Sequence, residues 1–162
     1  MRVRPARLDD MDFVRDLGAE AFEPYGRYGP LLPDWFMRPG VVTFVGEAGG
    51  KRAGFAMLAF YEARTGWIGD LLAIAVAPSR RRGGLWGALI DRVIEEAGRM
   101  VGTLPLRAVE LSVAETNLGA KRLFERHGFR VLDPSAGYYD GGQPTIRMAR
   151  LLSKAATSGG GG

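Results

Sequence analysis

Residues 67–89 read WIGDLLAIAVAPSRRRGGLWGAL, an apolar run that leads through an Arg- and Gly-rich turn into a second apolar pattern. The run over 67–78 is apolar at nearly every position, which is typical of a strand buried on both faces in the middle of a sheet. From Gly84 onward the apolar residues recur at helical spacing. A strand-to-helix turn points several unpaired backbone N–H groups at one place, and the helix dipole adds partial positive charge there. The turn therefore predicts an anion site, with the arginines at 80–82 as counter-charges.

The segments before this stretch predict an antiparallel meander. Residues 1–7 alternate as a short strand, and Leu8-Asp9-Asp10 then offers a carboxylate, from Asp9 or Asp10, as the N-cap of a helix. Residues 24–39 are rich in aromatic residues, Gly and Pro, which predicts a loop with a short helix near 34–37. Three apolar runs bounded by turn residues then predict consecutive strands, at 41–48, 53–63 and 67–78.

The segments after it return to helical and strand patterns in alternation. They predict a helix over 84–101, a strand over 106–113, a helix over about 117–127, and strands at 129–132 and 145–151. The resulting order, βα(α)βββαβαββ, predicts an α/β (α+β mixed) fold with a central, mixed, mostly antiparallel sheet and helices on both faces. We expect a single domain over 1–152 and a flexible Gly- and Ser-containing tail over 153–162.

The composition excludes several classes of chemistry. Of the 162 residues, 46% are hydrophobic and 25% are charged, which is typical of a globular protein. The chain has no cysteine and one histidine, so disulfides and thiolate chemistry are excluded and no metal site is expected. No apolar run is long enough for a membrane span, and no secretory signal is present, so we expect a cytoplasmic location.

The positive charge indicates a partner only through its position. A net charge of +4 fits either an ordinary protein with excess arginine or one with a polyanionic partner. The concentration of arginine at 80–82 favours a phosphate-bearing cofactor over an evenly basic surface for nucleic acid. No nucleic-acid recognition motif occurs in the sequence, so we do not expect nucleic acid as a partner.

Two motifs resemble those of the GNAT acetyltransferases. The turn resembles that family's coenzyme A pyrophosphate loop, Val-x-Pro-x-x-Arg-x-x-Gly-x-Gly/Ala, with Val76, Arg81 and Gly84 in the matching positions. Trp86 stands where the family has a small residue, and Gly87 is the expected replacement unless the indole points away from the cofactor. The stretch 117–129, NLGAKRLFERHGF, resembles the family helix Asn-x-x-Ala-x-x-Leu-Tyr/Phe-x-x-x-Gly-Phe nearly position for position.

The resemblance implies acetyl-CoA as the cofactor, lying where the strand that ends near Val76 diverges from the strand that ends near Val113. The cofactor-binding residues that it implies are Ile74, Ala75, Val76, Arg81, Arg82, Gly83, Gly84, Leu85, Trp86, Gly87, Asn117, Ala120 and Phe124.

Acetyl transfer to an amine needs a group that takes the amine proton, because an alkylamine is neutral in only about one molecule in 10³ at pH 7. Asp70 is the first candidate because it is the carboxylate inside the apolar strand; it could instead pair with an arginine. Glu110 is the second candidate, and Glu62 the third. Phe124 stands where many relatives have a proton-donating tyrosine, so Tyr138 or Tyr139 is the candidate acid unless solvent protonates the leaving thiolate.

The identity of the acceptor is the property that the sequence indicates least. Tyr25 and Tyr28, with Trp35 and Phe36, either form walls of the acceptor site or pack as a satellite hydrophobic cluster. The sequence thus predicts an N-acetyltransferase that acts on a primary amine, such as a small amine, an amino acid, a peptide N-terminus or a lysine. The alternative is a non-catalytic acyl-CoA-binding or regulatory module of the same fold. A homodimer is common in similar proteins, and the sequence leaves the oligomeric state open.

Overall fold

The computed structural model describes residues 1–64 and 66–152. In these ranges seven strands form one sheet: β1 (Arg2–Pro5), β2 (Val41–Ala48), β3 (Lys51–Ala63), β4 (Gly66–Val76), β5 (Leu106–Ala114), β6 (Arg130–Tyr138) and β7 (Pro144–Leu151). The helices are α1 (Met11–Ala21), α2 (Leu31–Met37), α3 (Leu85–Met100) and α4 (Leu118–Arg126). None of the helices in the described ranges is both long and apolar enough to cross a membrane.

The strands lie in the order β1-β2-β3-β4-β5-β7-β6, and β4 and β5 are the one parallel pair among them. Two consecutive glycines with positive φ, Gly49 and Gly50, make the tight turn between β2 and β3. Pairing between β4 and β5 ends at Leu71 and Leu111, although β4 continues to Val76. The predicted mixed, mostly antiparallel sheet is confirmed, and its parallel pair opens at one end.

Helices cover both faces of the sheet, as the sequence predicted. The α3 and α4 face buries a cluster that includes Leu89, Val93 and Phe124 together with the sheet residues Leu58 and Leu111. The opposite face buries Val14, Leu17 and Leu32 of α1 and α2 against Phe55, Met57 and Ala73. The sheet alternation that produces these two cores also decides which polar side chains lie on which face.

Three local predictions need correction or fall outside the structure. The helix in the 24–39 loop is longer than expected, since α2 spans Leu31–Met37 rather than 34–37. The strand expected at 129–132 continues to Tyr138 because it pairs with β7 along that length. The predicted flexible tail, 153–162, lies outside the described residues.

Asp10 does not provide the predicted side-chain cap of α1. Its fully buried carboxylate instead accepts hydrogen bonds from the Arg4 guanidinium at 2.7 and 3.0 Å, the Arg7 backbone N–H at 2.7 Å, and Arg52 Nε at 2.8 Å. The hydrogen bonds from Arg4 hold the pKa of Asp10 far below its usual range, against the opposing effect of burial. This cluster ties together β1, the segment directly before α1 and the start of β3, because Arg4, Asp10 and Arg52 come from these three segments.

Candidate active site

A cavity of about 460 Å³ opens where β4 and β5 stop pairing. Six consecutive β4 residues, Leu71 to Val76, line it, as do Leu111 to Ala114 of β5. Additional walls come from α1 and α2 with the segment between them, the β4–α3 turn, the first turn of α3, α4 with its N-cap, and the β6–β7 segment: Ala21, Phe22, Tyr25, Tyr28, Trp35, Arg81, Trp86, Asn117, Ala120, Leu123, Phe124 and Tyr139. The cavity therefore reaches from one helical layer to the other through the gap in the sheet.

An irregularity in β4 lies within the cavity wall. Leu58 pairs with Leu71 and Met57 pairs with Ala73, so Leu72 is an extra residue in β4. Such a bulge bends the strand and disrupts the regular ladder of backbone hydrogen bonds. It lies one residue beyond the last β4–β5 pair, and it therefore helps the two strands diverge.

The Arg- and Gly-rich turn brings the N-terminus of α3 and Arg81 to the same end of the cavity. Gly84 has φ +81° and is the N-cap of α3, a left-handed conformation that favours glycine. Arg81 lines the cavity, and Arg82 and Gly83 are exposed beside it. Leu85 differs from the others because its side chain is buried in the α3 face of the core, so it can meet a cofactor through its backbone.

Trp86 does not point away from the cavity. Its ring lines the wall and packs on Phe124, with ring centroids 4.7 Å apart and planes at 56°. Gly87, the expected small replacement, faces elsewhere, since a Cβ added there would meet the His127 ring at 3.3 Å. An aromatic ring, that of Trp86, therefore stands in the cavity wall where the family has a small residue, and Gly87 does not take over that place.

Asn117 positions α4 against this wall. Its Oδ1 accepts a hydrogen bond from the Ala120 backbone N–H at 3.2 Å, which makes it the N-cap of the helix. Both residues line the cavity together with Phe124. Of the predicted cofactor residues, the structure brings to the cavity lining Ile74, Ala75, Val76, Arg81, Trp86, Asn117, Ala120 and Phe124.

The two leading carboxylate candidates lie side by side just before the divergence. Asp70 and Glu110 are register partners in β4 and β5, and the Arg147 guanidinium binds both, with Nη2 3.3 Å from Asp70 Oδ1 and Nε 3.1 Å from Glu110 Oε1. Tyr61 Oη donates to Asp70 Oδ2 at 2.9 Å. Asp70 thus does pair with an arginine, the alternative that the sequence left open. Glu62 lies on the other face of β3 from Tyr61, because alternate strand residues point to opposite faces.

This carboxylate cluster lies on the α1 and α2 face of the sheet. Residues next to its members in sequence belong to the core on the opposite face, because alternate strand residues point to opposite faces. It does not line the cavity directly, but Arg147 Nη1 donates to Ser112 Oγ at 3.0 Å, and Ser112 does line it. Burial lowers the pKa of Arg147, but Asp70 and then Tyr61 and Glu110 outweigh that effect and raise it overall. Burial, followed by the charge of Asp70, raises the pKa of Tyr61 to about 12.

Sequence reasoning missed Arg147. The alternation of Ile146, Arg147 and Met148 shows that it faces away from the core, but only the pairing of β7 with β5 brings it to Glu110. That pairing depends on β6 lying at the edge, an arrangement that nothing in the local pattern specifies.

The two candidate proton donors, Tyr138 and Tyr139, lie in different surroundings. Tyr139 lines the cavity, and its Oη donates a hydrogen bond to the Ser112 carbonyl oxygen at 3.4 Å. Burial, and by smaller amounts the neighbouring Tyr28 and Tyr25, raise the pKa of Tyr139 to about 12. Tyr138 is 78% exposed and lies outside the cavity lining. Tyr25 and Tyr28 do line the cavity, and their rings contact Tyr139 at centroid distances of 4.8 and 6.3 Å.

The model of the acetyltransferase (GNAT) family matches residues 11–129, which is most of the chain. The chain belongs to the GNAT acetyltransferase family. Its donor is acetyl-CoA and its reaction is acetyl transfer to an amine, so both expectations from the sequence are confirmed.

Individual relatives are distant from this GNAT chain. N-alpha-acetyltransferase 20 of Dictyostelium discoideum is 26% identical over 127 residues, covering 78% of this chain and 70% of the relative. The ribosomal-protein-alanine N-acetyltransferase of Brucella melitensis has a similar structure, with a TM-score of 0.76, 20% identity, and coverage of 94% and 100% of the two chains. Arabidopsis thaliana NAA60 in complex with acetyl-CoA gives a TM-score of 0.73 at 17% identity, covering 93% and 98%.

No group of three or more His, Asp or Glu side chains that could hold a metal ion occurs in the described part of this GNAT chain.

Proposed function

We propose that acetyl-CoA binds in the gap between β4 and β5 and that the amine acceptor enters from the α1 and α2 face. The observation that carries this proposal is the single cavity that joins an Arg-lined helix N-terminus to an aromatic pocket through the open end of the parallel strand pair. The residues fit the cofactor: Gly84 opens the turn, Arg81 supplies positive charge, and the apolar β4 and α4 walls match an extended acyl-pantetheine arm.

Acetyl-CoA, when bound, supplies the acetyl thioester. In the proposed reaction the amine nitrogen would bond to the acetyl carbon as the carbon–sulfur bond breaks, so one proton would leave the nitrogen and one would reach the sulfur. The chain must therefore accept a proton on one side of the acetyl group and supply one on the other. Backbone N–H groups of β4 near Ile74 are the proposed donors to the carbonyl oxygen, because the bulge at Leu72 disrupts the regular ladder beside them.

Asp70 is the proposed proton acceptor, with Glu110 as the second candidate. Both are half-buried beside the cavity and carry two negative charges against the one positive charge of Arg147. Neither lines the cavity, so the proton would pass through a bridging water near Ser112. Arg147 is a positioning residue in this scheme, since it holds both carboxylates at the point where the strands diverge.

Tyr139 is the proposed proton donor in place of Tyr138. The position on α4 holds Phe124, which has no proton to give, whereas the Tyr139 phenol lines the same cavity. Its raised pKa of about 12 keeps it protonated at neutral pH. Tyr25 and Tyr28 are proposed as acceptor walls because they form one aromatic cluster with Tyr139.

The experiment that tests the proposal combines binding and turnover. Calorimetric titration with acetyl-CoA is expected to give micromolar binding that weakens by about 1–3 kcal/mol in Arg81→Ala, because a charged partner of the pyrophosphate is lost. Arg99→Ala, an exposed arginine on the last turn of α3, is the matched control and should bind as the parent does. Absence of binding by the parent protein would contradict the proposed cofactor site.

We also propose that residues 1–152 act as one domain in the cytoplasm and that the protein forms a homodimer through the edge strand β6. Exposed apolar side chains at this edge, Val131, Leu132 and Tyr138, support the dimer proposal. Light scattering of the purified protein tests it, with a monomer mass as the contradicting result. The arginines at 80–82 lie at the cofactor turn, which does not favour nucleic acid as a partner; a mobility-shift assay that showed tight binding would overturn this.

A further inference from the structure

The acceptor end of the cavity is uncharged. On the α1 and α2 side the lining residues are Ala21, Phe22, Tyr25, Tyr28, Trp35 and Tyr139, of which five are aromatic. Among the described residues that line the cavity, the charged side chain is Arg81, which belongs to the turn on the α3 side. An acceptor therefore meets ring faces, phenol hydroxyls and an indole rather than a carboxylate.

The aromatic walls are held in place by the two segments that carry them. Gln143 Nε2 donates to the Pro24 carbonyl at 2.6 Å, and the Gly141 N–H donates to the Tyr25 carbonyl at 3.0 Å. The Asp140 backbone N–H also bonds Tyr28, and the Phe22 and Tyr28 rings meet edge to face. Because the segment after α1 and the β6–β7 segment are bonded to each other, the pocket is formed before any acceptor arrives.

The charged groups nearest to this pocket can neutralise one cationic group of an acceptor. Asp70 and Glu110 share Arg147, so their two carboxylates face one guanidinium, and this cluster lies behind the cavity wall at Ser112. Asp140 lies beside Tyr28 but is exposed at the rim, where solvent screens it. A second ammonium group deeper in the pocket would lose its hydration without gaining a carboxylate.

We infer that the acceptor is a primary amine attached through a short carbon chain to one large apolar or aromatic group, with no second positive charge. Free arylalkylamines and peptide N-termini with a large apolar first residue share this chemistry. The inference rests on the proposed acceptor site. The uncharged walls serve the reaction as well, because they favour the neutral amine over the ammonium ion.

The test compares acceptors that differ in the aromatic ring and in the number of positive charges. 2-Phenylethylamine is compared with ethanolamine, which lacks the ring, and with spermidine, which adds positive charges. We expect kcat/KM for 2-phenylethylamine to exceed that for ethanolamine by about 10- to 100-fold, since a buried ring adds apolar contact. Spermidine should react at least about 100-fold less well than 2-phenylethylamine. The peptides Phe-Gly-Ser-Gly and Ser-Gly-Ser-Gly distinguish a peptide acceptor from a free amine.

Variants connect the preference to the pocket. Trp35→Ala and Tyr28→Ala should reduce the 2-phenylethylamine to ethanolamine ratio by about tenfold, mainly through KM, because they remove ring contacts. Leu151→Ala, an exposed residue at the end of β7 and outside the cavity lining, should leave the ratio unchanged. Equal rates for the two amines, or a preference for spermidine, would overturn the inference.

Binding separates failure of this inference from failure of the proposed function. Each amine is also titrated calorimetrically into the protein, alone and with coenzyme A present. If acetyl-CoA binds but no amine is acetylated, the proposed turnover fails, and tighter binding of 2-phenylethylamine than of ethanolamine or spermidine still supports the acceptor class. Equal or inverted affinities overturn it whether or not turnover is observed.

Discussion

Two clusters of arginine and carboxylate groups lie on the same sheet and differ mainly in burial. In the first, Asp10 is fully buried and accepts four hydrogen bonds from Arg4, Arg7 and Arg52, at the edge formed by β1. In the second, Asp70 and Glu110 remain 13% and 16% exposed beside the cavity, and they share Arg147. The first carboxylate has no room for water or substrate, whereas the second pair is partly open to solvent. We therefore propose that burial separates a structural ion cluster from one that takes part in the chemistry.

The largest expected effect is on the buried cluster. Asp10→Ala should lower the free energy of unfolding by about 3–5 kcal/mol, because the buried Arg4 guanidinium loses the carboxylate that accepts two of its hydrogen bonds and is left with the longer contact with Glu47, at 3.5 Å. Chemical denaturation measures the loss. The kcat/KM of the folded fraction should stay near that of the parent, and a large fall in it would break the comparison.

Acid should weaken the same cluster. The pKa of Asp10 is lowered in the folded protein, so its contribution to stability is fully present above the unfolded value of about 3.9 and is lost as the pH falls below it. Urea unfolding of the parent protein between pH 6 and pH 2 (conditions chosen to span about pH 3.9) should show this loss. In Asp10→Asn the decline should be shallower; an equal slope would mean that other carboxylates dominate.

The half-buried cluster should respond in activity. Arg147→Gln is expected to lower kcat/KM by about tenfold, because Asp70 and Glu110 then repel each other without a shared cation. Arg147→Lys should recover part of the loss, since it restores the charge without the forked geometry. Steady-state kinetics across pH measures both. Equal losses in Gln and Lys variants, with an unchanged pH profile, would indicate a purely structural role.

The smallest effect concerns the two neighbouring tyrosines. Tyr139→Phe should lower kcat by a factor of about three to ten, because a thiolate is already a fair leaving group and solvent can replace part of the donor's work. Tyr138→Phe should not change kcat, because that phenol lies outside the cavity. The opposite pattern would return the acid role to Tyr138.

The sequence predicted the fold well because the decisive signals were local. The buried run that ends near Val76, the turn at Arg81 and Gly84, and the motif helix that begins after Asn117 each specify their own structure. The direction of Trp86 was not readable, since it depends on packing against Phe124 from another helix.

The proposed catalytic cluster could be recognised only with long-range information. Asp70 was identifiable as a carboxylate in an apolar strand, but its partners Arg147 and Tyr61 come from strands whose register no local pattern fixes. Asp10 was misread for the same reason, because Arg52 reaches it from β3. Tyr139 was separable from Tyr138 only once the end of β6 was known.

The measurement that tests the catalytic assignment most directly is kcat/KM of Asp70→Asn on an amine that the parent acetylates, with acetyl-CoA affinity and unfolding free energy measured on the same preparation. We expect kcat/KM to fall by at least about 100-fold, with acetyl-CoA binding within a factor of about two of the parent. A variant that keeps the parent's kcat/KM would show that Asp70 pairs with Arg147 for structure alone, and it would contradict the distinction between the two clusters.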